Sequence, residues 1–297
     1  MHTRRLRIDA AVETEDILRD GRYAGPEGEV DLSAALSTAV RGTVLLGPDD
    51  PLPTGRPAGA ETSAGASAAT GGVGGDGDIG GSMAIEVTDD TSLAAARRLV
   101  GEAPDPVLCL NFASATHPGG GFSTGALGQE ESLARASGLM ACLRAVPRYY
   151  EIHHAERDPL YTHHVVYSPA VPVFRDDGGA LLPAPYPVTI LTAAAPNATE
   201  LRQAPDRLAR IPRLVAERIA RVLAVAAAFG HGRLVLGAWG CGAFGNDPNM
   251  VADAFAAQLH PRGAFPNAFT RVVFAILPST VSAPDSPNLA AFRRRFA

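Results

Sequence analysis

Cysteine is scarce in this chain. Its 297 residues hold three, Cys109, Cys142 and Cys241, too few and too scattered for a disulfide framework or a zinc site. Cys109 and Cys142 lie in apolar surroundings and read as small core residues. Cys241 sits in a glycine-rich loop, where a reactive thiol is one reading, although no histidine lies close in sequence. Long apolar runs are missing as well: the segment 214–229 is interrupted by Glu217, Arg218 and Arg221, so no membrane span is expected. Arg4, Arg5 and Arg7 are followed by Asp9, Glu13, Glu15 and Asp16 and not by an apolar stretch, unlike a secretory leader, and the expectation is a soluble cytoplasmic protein. Positive charge is not in excess. A net charge of −5 argues against a general nucleic-acid binder but leaves room for a local anion pocket. There is no G-x-x-x-x-G-K-[ST], which excludes a nucleoside-triphosphate P-loop. His153-His154 and His163-His164 come without further spaced ligands, so they point to loop or surface roles and no metal.

The apolar residues, 46% of the total, are enough for a sizeable core in one large domain or two small ones. Periodicity predicts a helix over 4–20 closed by Gly21, a strand at 30–32, a helix over 34–41 capped by Asp31 or Ser33, and a strand at 43–46. Residues 48–82 are dominated by Gly, Ala, Ser, Thr and Pro and bury too little to offset their ordering entropy. They are expected to be a mobile insertion, and deletion of 52–80 is expected barely to change activity. After it come strands at 85–87, 107–111, 188–193, 234–237 and 271–277. Helices are predicted at 91–100 (capped by Asp90 or Thr91), 129–145, 212–229, 249–259 and 288–296. Residues 146–186 read as irregular, with short strands at 165–167 and 171–174. This alternation predicts an α/β sheet, parallel or mixed, with helices on both faces and ligand loops at the carboxyl ends of the strands.

Two such loops carry chemistry. The first runs Asn111-Phe112-Ala113-Ser114-Ala115-Thr116-His117-Pro118-Gly119-Gly120-Gly121-Phe122 and leads to Gln129-Glu130-Glu131 at a helix start. Three glycines let backbone approach a ligand and offer successive N–H groups to an anion; the alternative is an ordinary flexible loop. The second, 237–247, contains Trp239, Gly240, Cys241, Gly242, Ala243, Phe244 and Gly245. Its match to G-x-G-x-x-G is formal, because no acidic residue closes the next strand to hold a ribose. Two glycine loops behind two buried strands are best explained by one diphosphate held between them. Trp239 and Phe244 either face a base or pack the core. Glu130 and Glu131 point about 100° apart on a helix, so they cannot flank a scissile bond at the roughly 5–10 Å of an ordinary glycosidase pair. One faces the cleft and the other braces it; the alternative is a pair of acids stabilising the helix dipole. A general acid must hold its proton, so burial and the adjacent like charge must raise one carboxyl. The run 191–197 either walls the pocket or forms a turn set by Pro196 and Asn197. Arg293, Arg294 and Arg295 read as a solvated helix end.

The three glycines followed by Gln129-Glu130-Glu131 resemble the signature of bacterial-type poly(ADP-ribose) glycohydrolases. Asn111 through His117, Ser132-Leu133-Ala134-Arg135, Ser137-Gly138-Leu139, Ala195-Pro196-Asn197 and the second glycine loop are similar to that family too, as is the stretch through Gly21-Arg22-Tyr23. The resemblance covers most of the chain outside 48–82. It implies a macrodomain-like three-layer α/β/α sandwich with a mixed sheet, an N-terminal helical extension over 1–47 and a catalytic domain over 83–297. It implies Glu131 as catalytic acid/base and Glu130 as the residue that positions substrate and loop. Asn111 would bind the ribose nearest the scissile bond, and Gln129 would help to bind substrate. Gly119, Gly120 and Gly121, with Gly240, Gly242, Ala243 and Gly245, would clasp the diphosphate, and Phe244 would stack on the distal ribose or adenine. The implied substrate is poly(ADP-ribose) or another ADP-ribosylated macromolecule, with ADP-ribose as product and no metal or cofactor. The chain departs from what the resemblance implies at Ala243, where a larger aliphatic residue is expected and which bears on chain-end versus interior cleavage, and at 192–195, where a larger, more polar stretch is expected. The competing readings are a hydrolase of single ADP-ribosyl units, an ADP-ribose-binding reader without catalysis, and a dehydrogenase using the second loop.

Overall fold

The computed structural model describes residues 3–53, 83–277 and 286–296, so most of the low-complexity stretch lies outside the described residues. The amphipathic opening folds as α1 (Arg4–Asp20), capped by the Thr3 hydroxyl, which accepts the Leu6 N–H, and closed by Gly21 in the left-handed region. A small hairpin, β1 (Arg22–Gly25) and β2 (Gly28–Asp31), leads to α2 (Ser33–Gly42) and β3 (Val44–Leu46). Asp31 accepts the Ser33 N–H at the start of α2. Beyond the low-complexity stretch come β4 (Ala84–Thr88), α3 (Ser92–Glu102) and β5 (Val107–Phe112). The Thr91 hydroxyl caps α3 by accepting the Ala94 N–H.

The expected single helix over 129–145 is two, α4 (Gln129–Ala136) and α5 (Leu139–Arg144). Ser137 bridges to Val173 and the Gly138 N–H donates to the Pro172 carbonyl, so the backbone leaves the helix to pair with a strand. The supposedly irregular 146–186 holds α6 (Arg148–Glu156) and the long strands β6 (Val165–Arg175) and β7 (Leu181–Ala193). The buried face of α6 is Tyr149, Tyr150 and His153, side chains with polar tips that hide an apolar stripe from a reading of hydropathy. A register shift between Ser168 and Val171, with Ala170 at φ 46°, splits the apparent pattern of β6. The chain ends with α7 (Pro205–Leu208), α8 (Ile211–Ala228), β8 (Arg233–Leu236), α9 (Pro248–Leu259), β9 (Arg271–Ala275) and α10 (Pro287–Phe296).

Seven strands form one mixed sheet in the order β3-β6-β7-β5-β8-β9-β4. β3, β6 and β7 pair antiparallel, and from β7 to β4 all neighbours are parallel. Both faces are covered, which is why β5 is apolar from Val107 to Leu110. Leu108 and Leu110 pack with α8, α9 and α10, whereas Val107 and Cys109 pack with α3, α4 and α5. The result is the expected three-layer sandwich. α1 and α2 pack at the second face through Ala11 and Ala39, and Ile17, Tyr23, Leu32, Leu36 and Phe174 form a satellite cluster. β3 is itself an edge strand of the sheet.

Candidate active site

Parallel β5 and β8 end at the same edge, at Phe112 and Leu236. The two glycine loops leave from these ends, and between them lies a cavity of about 510 Å³. Gly120, Gln129, Glu130 and Glu131 line it from one side, and Gly240, Gly242, Ala243 and Phe244 from the other. Asp90 and Thr91 stand at a further wall, and exposed Leu127 and Leu277 also border it. Asn111, Gly119, Gly121 and Gly245 support the loops without lining the cavity.

The first loop folds around the carboxylates. The Gly121 N–H donates to Glu131 Oε1 at 3.0 Å. Gly120 has φ +57°, and a Cβ there would stand 2.5 Å from Glu131 Oε1 and 3.2 Å from Glu130 Oε2. Glycine is therefore required at this position on two counts, conformation and space. Glu131 is half-buried.

Glu130 is 4% exposed. Its Oε2 accepts the Ser114 N–H at 2.6 Å, and its Oε1 lies 3.4 Å from Asn111 Nδ2. Burial pushes this carboxyl up to about 8, and the Glu131 charge adds to the effect, against the Ser114 and Asn111 donors that favour the ionised form. Glu130 thus keeps its proton at neutral pH. Asn111 is fully buried, donates also to Thr192 Oγ1 at 3.2 Å, and leaves Oδ1 without a hydrogen-bond partner.

Gln129 lines the cavity, but its amide is occupied by the sheet. Oε1 accepts the Phe112 N–H at 2.9 Å, while Nε2 donates to the Leu110 carbonyl at 2.8 Å and to Ser92 Oγ at 3.1 Å. It acts as a strand partner for the end of β5, tying α4 to the strand from which the loop departs.

The second loop is braced by Asn246, whose Nδ2 donates to the carbonyls of Pro196 and Gly240. Thr199 holds it from outside through its N–H to the Phe244 carbonyl and its hydroxyl to the Ala243 carbonyl. Phe244 is half-buried beside Tyr161, ring centroids 6.0 Å apart. Trp239 resolves to the core: it is 1% exposed, with Nε1 donating to the Ala193 carbonyl. Burial pushes the Cys241 thiol up to about 12, which gives it no thiolate character at neutral pH.

Arg218, in sequence only an interruption of an apolar segment, and Tyr149 add to the site. Arg218 is fully buried and donates to the carbonyls of Ala194, Leu160 and Tyr161 and to His163 Nδ1. Tyr149 Oη accepts the Ala194 N–H at 3.1 Å. Together they fix the 194–197 wall. The signal was present: Arg218 falls on the same helical stripe as buried Val215, Ile219 and Val222. His153 is buried and not at the surface, placed between the Tyr149 carbonyl and Thr162, and burial pushes it down to about 4. Among the described residues no three His, Cys, Asp or Glu side chains gather as metal ligands, and no helix is long and apolar enough to cross a membrane.

A family profile, the catalytic domain of microbial-type PARG, matches residues 11–176. Comparison with curated proteins finds no significant match. Among solved structures, the poly(ADP-ribose) glycohydrolase (PARG) from Thermomonospora curvata is 49% identical, over 98% of this chain and 99% of that one, at a TM-score of 0.84. The same enzyme bound to the inhibitor ADP-HPD aligns at 47% identity over 98% and 99%, with a TM-score of 0.83. Poly(ADP-ribose) glycohydrolase from Deinococcus radiodurans in complex with ADP-ribose is 40% identical over 88% and 96%, with a TM-score of 0.72. With a cleft built from these two loops and a family match over more than half its length, the chain belongs to the microbial-type PARG family.

Proposed function

We propose that this protein hydrolyses the ribose–ribose O-glycosidic bonds of poly(ADP-ribose) and releases ADP-ribose, with Glu131 as the acid/base. The observation that carries this reading is the Glu131 carboxylate, lodged against the Gly121 N–H on the rim of a cavity closed by a second glycine loop. Relatives solved with ADP-ribose and with ADP-HPD support the ligand class.

The diphosphate lies between the loops, drawn by their N–H groups. Phe244 packs on the distal ribose or adenine. Asn111, buried behind the loop, orders Glu130 and Thr192 at the ribose end. Protonated Glu131 gives its proton to the leaving ribose oxygen as the bond to the anomeric carbon breaks. The oxocarbenium charge that develops is stabilised by the neighbouring diphosphate. Glu131, now ionised, takes a proton from water as that water bonds to the anomeric carbon, which restores the acid. Neutral Glu130 keeps a second negative charge out of the site, and Gln129 fixes the helix start against β5.

Purified poly(ADP-ribose) and a mono-ADP-ribosylated protein, offered in parallel, test the assignment. Release from the polymer at a far higher rate is expected. Preference for the mono-modified protein would make this a hydrolase of single units, and tight ADP-ribose binding with no release from either would make it a reader.

A further inference from the structure

The turn at 122–126, between the three glycines and α4, presents its carbonyl oxygens to three guanidinium groups. Arg4 Nε donates to the Thr124 carbonyl at 3.0 Å and Arg7 Nε to the Gly125 carbonyl at 2.8 Å. Arg135, almost fully buried, donates to the carbonyls of Ala126 at 3.0 Å and Phe122 at 3.4 Å. Contact with α1 is close: Gly125 has φ +74°, and a Cβ there would stand 2.8 Å from the Arg4 carbonyl oxygen and 2.9 Å from Ile8. The same turn holds the glycine loop. The Gly121 carbonyl accepts the N–H groups of Ala126 and Thr124 and the Thr124 hydroxyl, at 3.0 to 3.1 Å. The Gly121 N–H is the donor to Glu131 Oε1. A continuous path of hydrogen bonds therefore runs from α1 through the turn to the carboxylate.

We propose that Arg4 and Arg7 of α1, with Arg135 of α4, are positioning residues that hold the 122–126 turn and through it set the Gly121 amide against Glu131. The inference rests on the assignment of Glu131 made above. It makes α1 part of the reaction machinery as well as a flank of the sheet. The two α1 arginines are not what attaches the helix. Ala10, Ala11 and Ile17 are buried, and the Thr14 hydroxyl donates to the Arg135 carbonyl at 2.6 Å. Arg4 is exposed and Arg7 half-buried, so their removal leaves that attachment in place. What they supply is orientation of the turn, and catalysis is sensitive to misplacement on the scale of an ångström.

The test uses the full chain as wild type, Arg7→Ala, Arg7→Lys and the double variant Arg4→Ala/Arg7→Ala. Expected for the double variant is a fall in kcat on poly(ADP-ribose) of about tenfold or more. KM, the ADP-ribose Kd and Tm should stay close to wild type. Arg7→Lys, which keeps one donor for the single Gly125 carbonyl, should recover most of the rate. An unchanged kcat, a loss confined to KM or ADP-ribose affinity, or a kcat loss matched by a fall in Tm would each overturn the inference while leaving the Glu131 assignment standing. No release by the wild type would remove that assignment and this inference together.

Discussion

At the residue scale, two neighbouring carboxyl groups sit in different media. Consecutive helix positions diverge by about 100°, and that divergence sends Glu130 inward to Asn111 and Ser114 while Glu131 stays on the rim. The sequence made this division predictable, because adjacency rules out a flanking pair. It did not say which residue would be buried, since that depends on the depth at which α4 meets β5. Burial has a pH consequence. Below the ordinary carboxyl value of 4.5 both folded and unfolded chains hold the Glu130 proton. Between there and about 8 only the folded chain holds it. The unfolded chain then binds fewer protons, so Glu130 lowers stability as pH rises through this window, and the full cost is present above it. Glu130→Gln removes the cost, and the Asn111 amide, with Oδ1 free, can turn to accept the new N–H group. Urea unfolding at pH 5 and pH 8 should show the variant gaining about 1–3 kcal/mol on wild type at the higher pH; equal pH dependence of the two proteins would contradict the buried neutral carboxyl. At Gly120, alanine forces a left-handed residue, at roughly 1–2 kcal/mol, and drives a methyl into Glu131. Gly120→Ala should lose most of its turnover and some of its Tm, and a variant with wild-type kcat would show that the loop is not held as described.

At the scale of elements, the site depends on how loops are tied to helices and strands. Arg218 enters the core on α8 with no carboxylate partner among the described residues and satisfies the carbonyls of Leu160, Tyr161 and Ala194, the last beside Ala195, which lines the cavity. Burial pushes it down to about 10. Arg218→Met keeps the apolar stem and strands those carbonyls at about 1–3 kcal/mol each, so a loss of about 3 kcal/mol or more is expected from chemical denaturation. A loss under about 1 kcal/mol would mean that water replaces the guanidinium at little cost. Elements with simple periodicity were legible beforehand. α1, α8 and α9 show apolar stripes, and β5 is apolar on both faces. The elements that escaped are those whose pattern is set by long-range partners. α4 and α5 separate because Ser137 and Gly138 pair with β6, a contact no local window contains. α6 hides its buried face in tyrosines and a histidine. Gln129, which the resemblance implies as a substrate-binding residue, lines the cavity while its amide partners lie on β5 and Ser92.

At the scale of the molecule, topology sets a length requirement between β3 and β4, while most of the low-complexity stretch lies outside the described residues. β3 and β4 are opposite edges of the seven-stranded sheet. Six interstrand steps at roughly 4.8 Å separate them by about 29 Å, and the connection between Leu46 and Ala84 has to span it. The Gly47 and Asp50 carbonyls are tethered by Arg221 of α8, which shortens the reach still available. At about 3.5 Å per extended residue a crossing of that length needs on the order of nine residues, so the stretch can be shortened but not removed. Halving the stretch should leave activity and Tm near wild type, whereas deletion of 54–80 should lower Tm sharply; a fully stable deletion would place the crossing elsewhere. The absence of lysine, all 26 cationic side chains being arginine, suits a molecule that meets carbonyls with planar forks at Arg135, Arg175 and Arg218. The cleft and its two loops frame the central proposal, that Glu131 is the acid/base. The measurement that tests it most directly is release of free ADP-ribose from purified poly(ADP-ribose) by wild type and Glu131→Ala side by side, with ADP-ribose affinity measured on both. Release by the wild type, a loss of at least about 10²-fold in the variant and retained affinity are predicted; turnover by Glu131→Ala at a rate near wild type would contradict it.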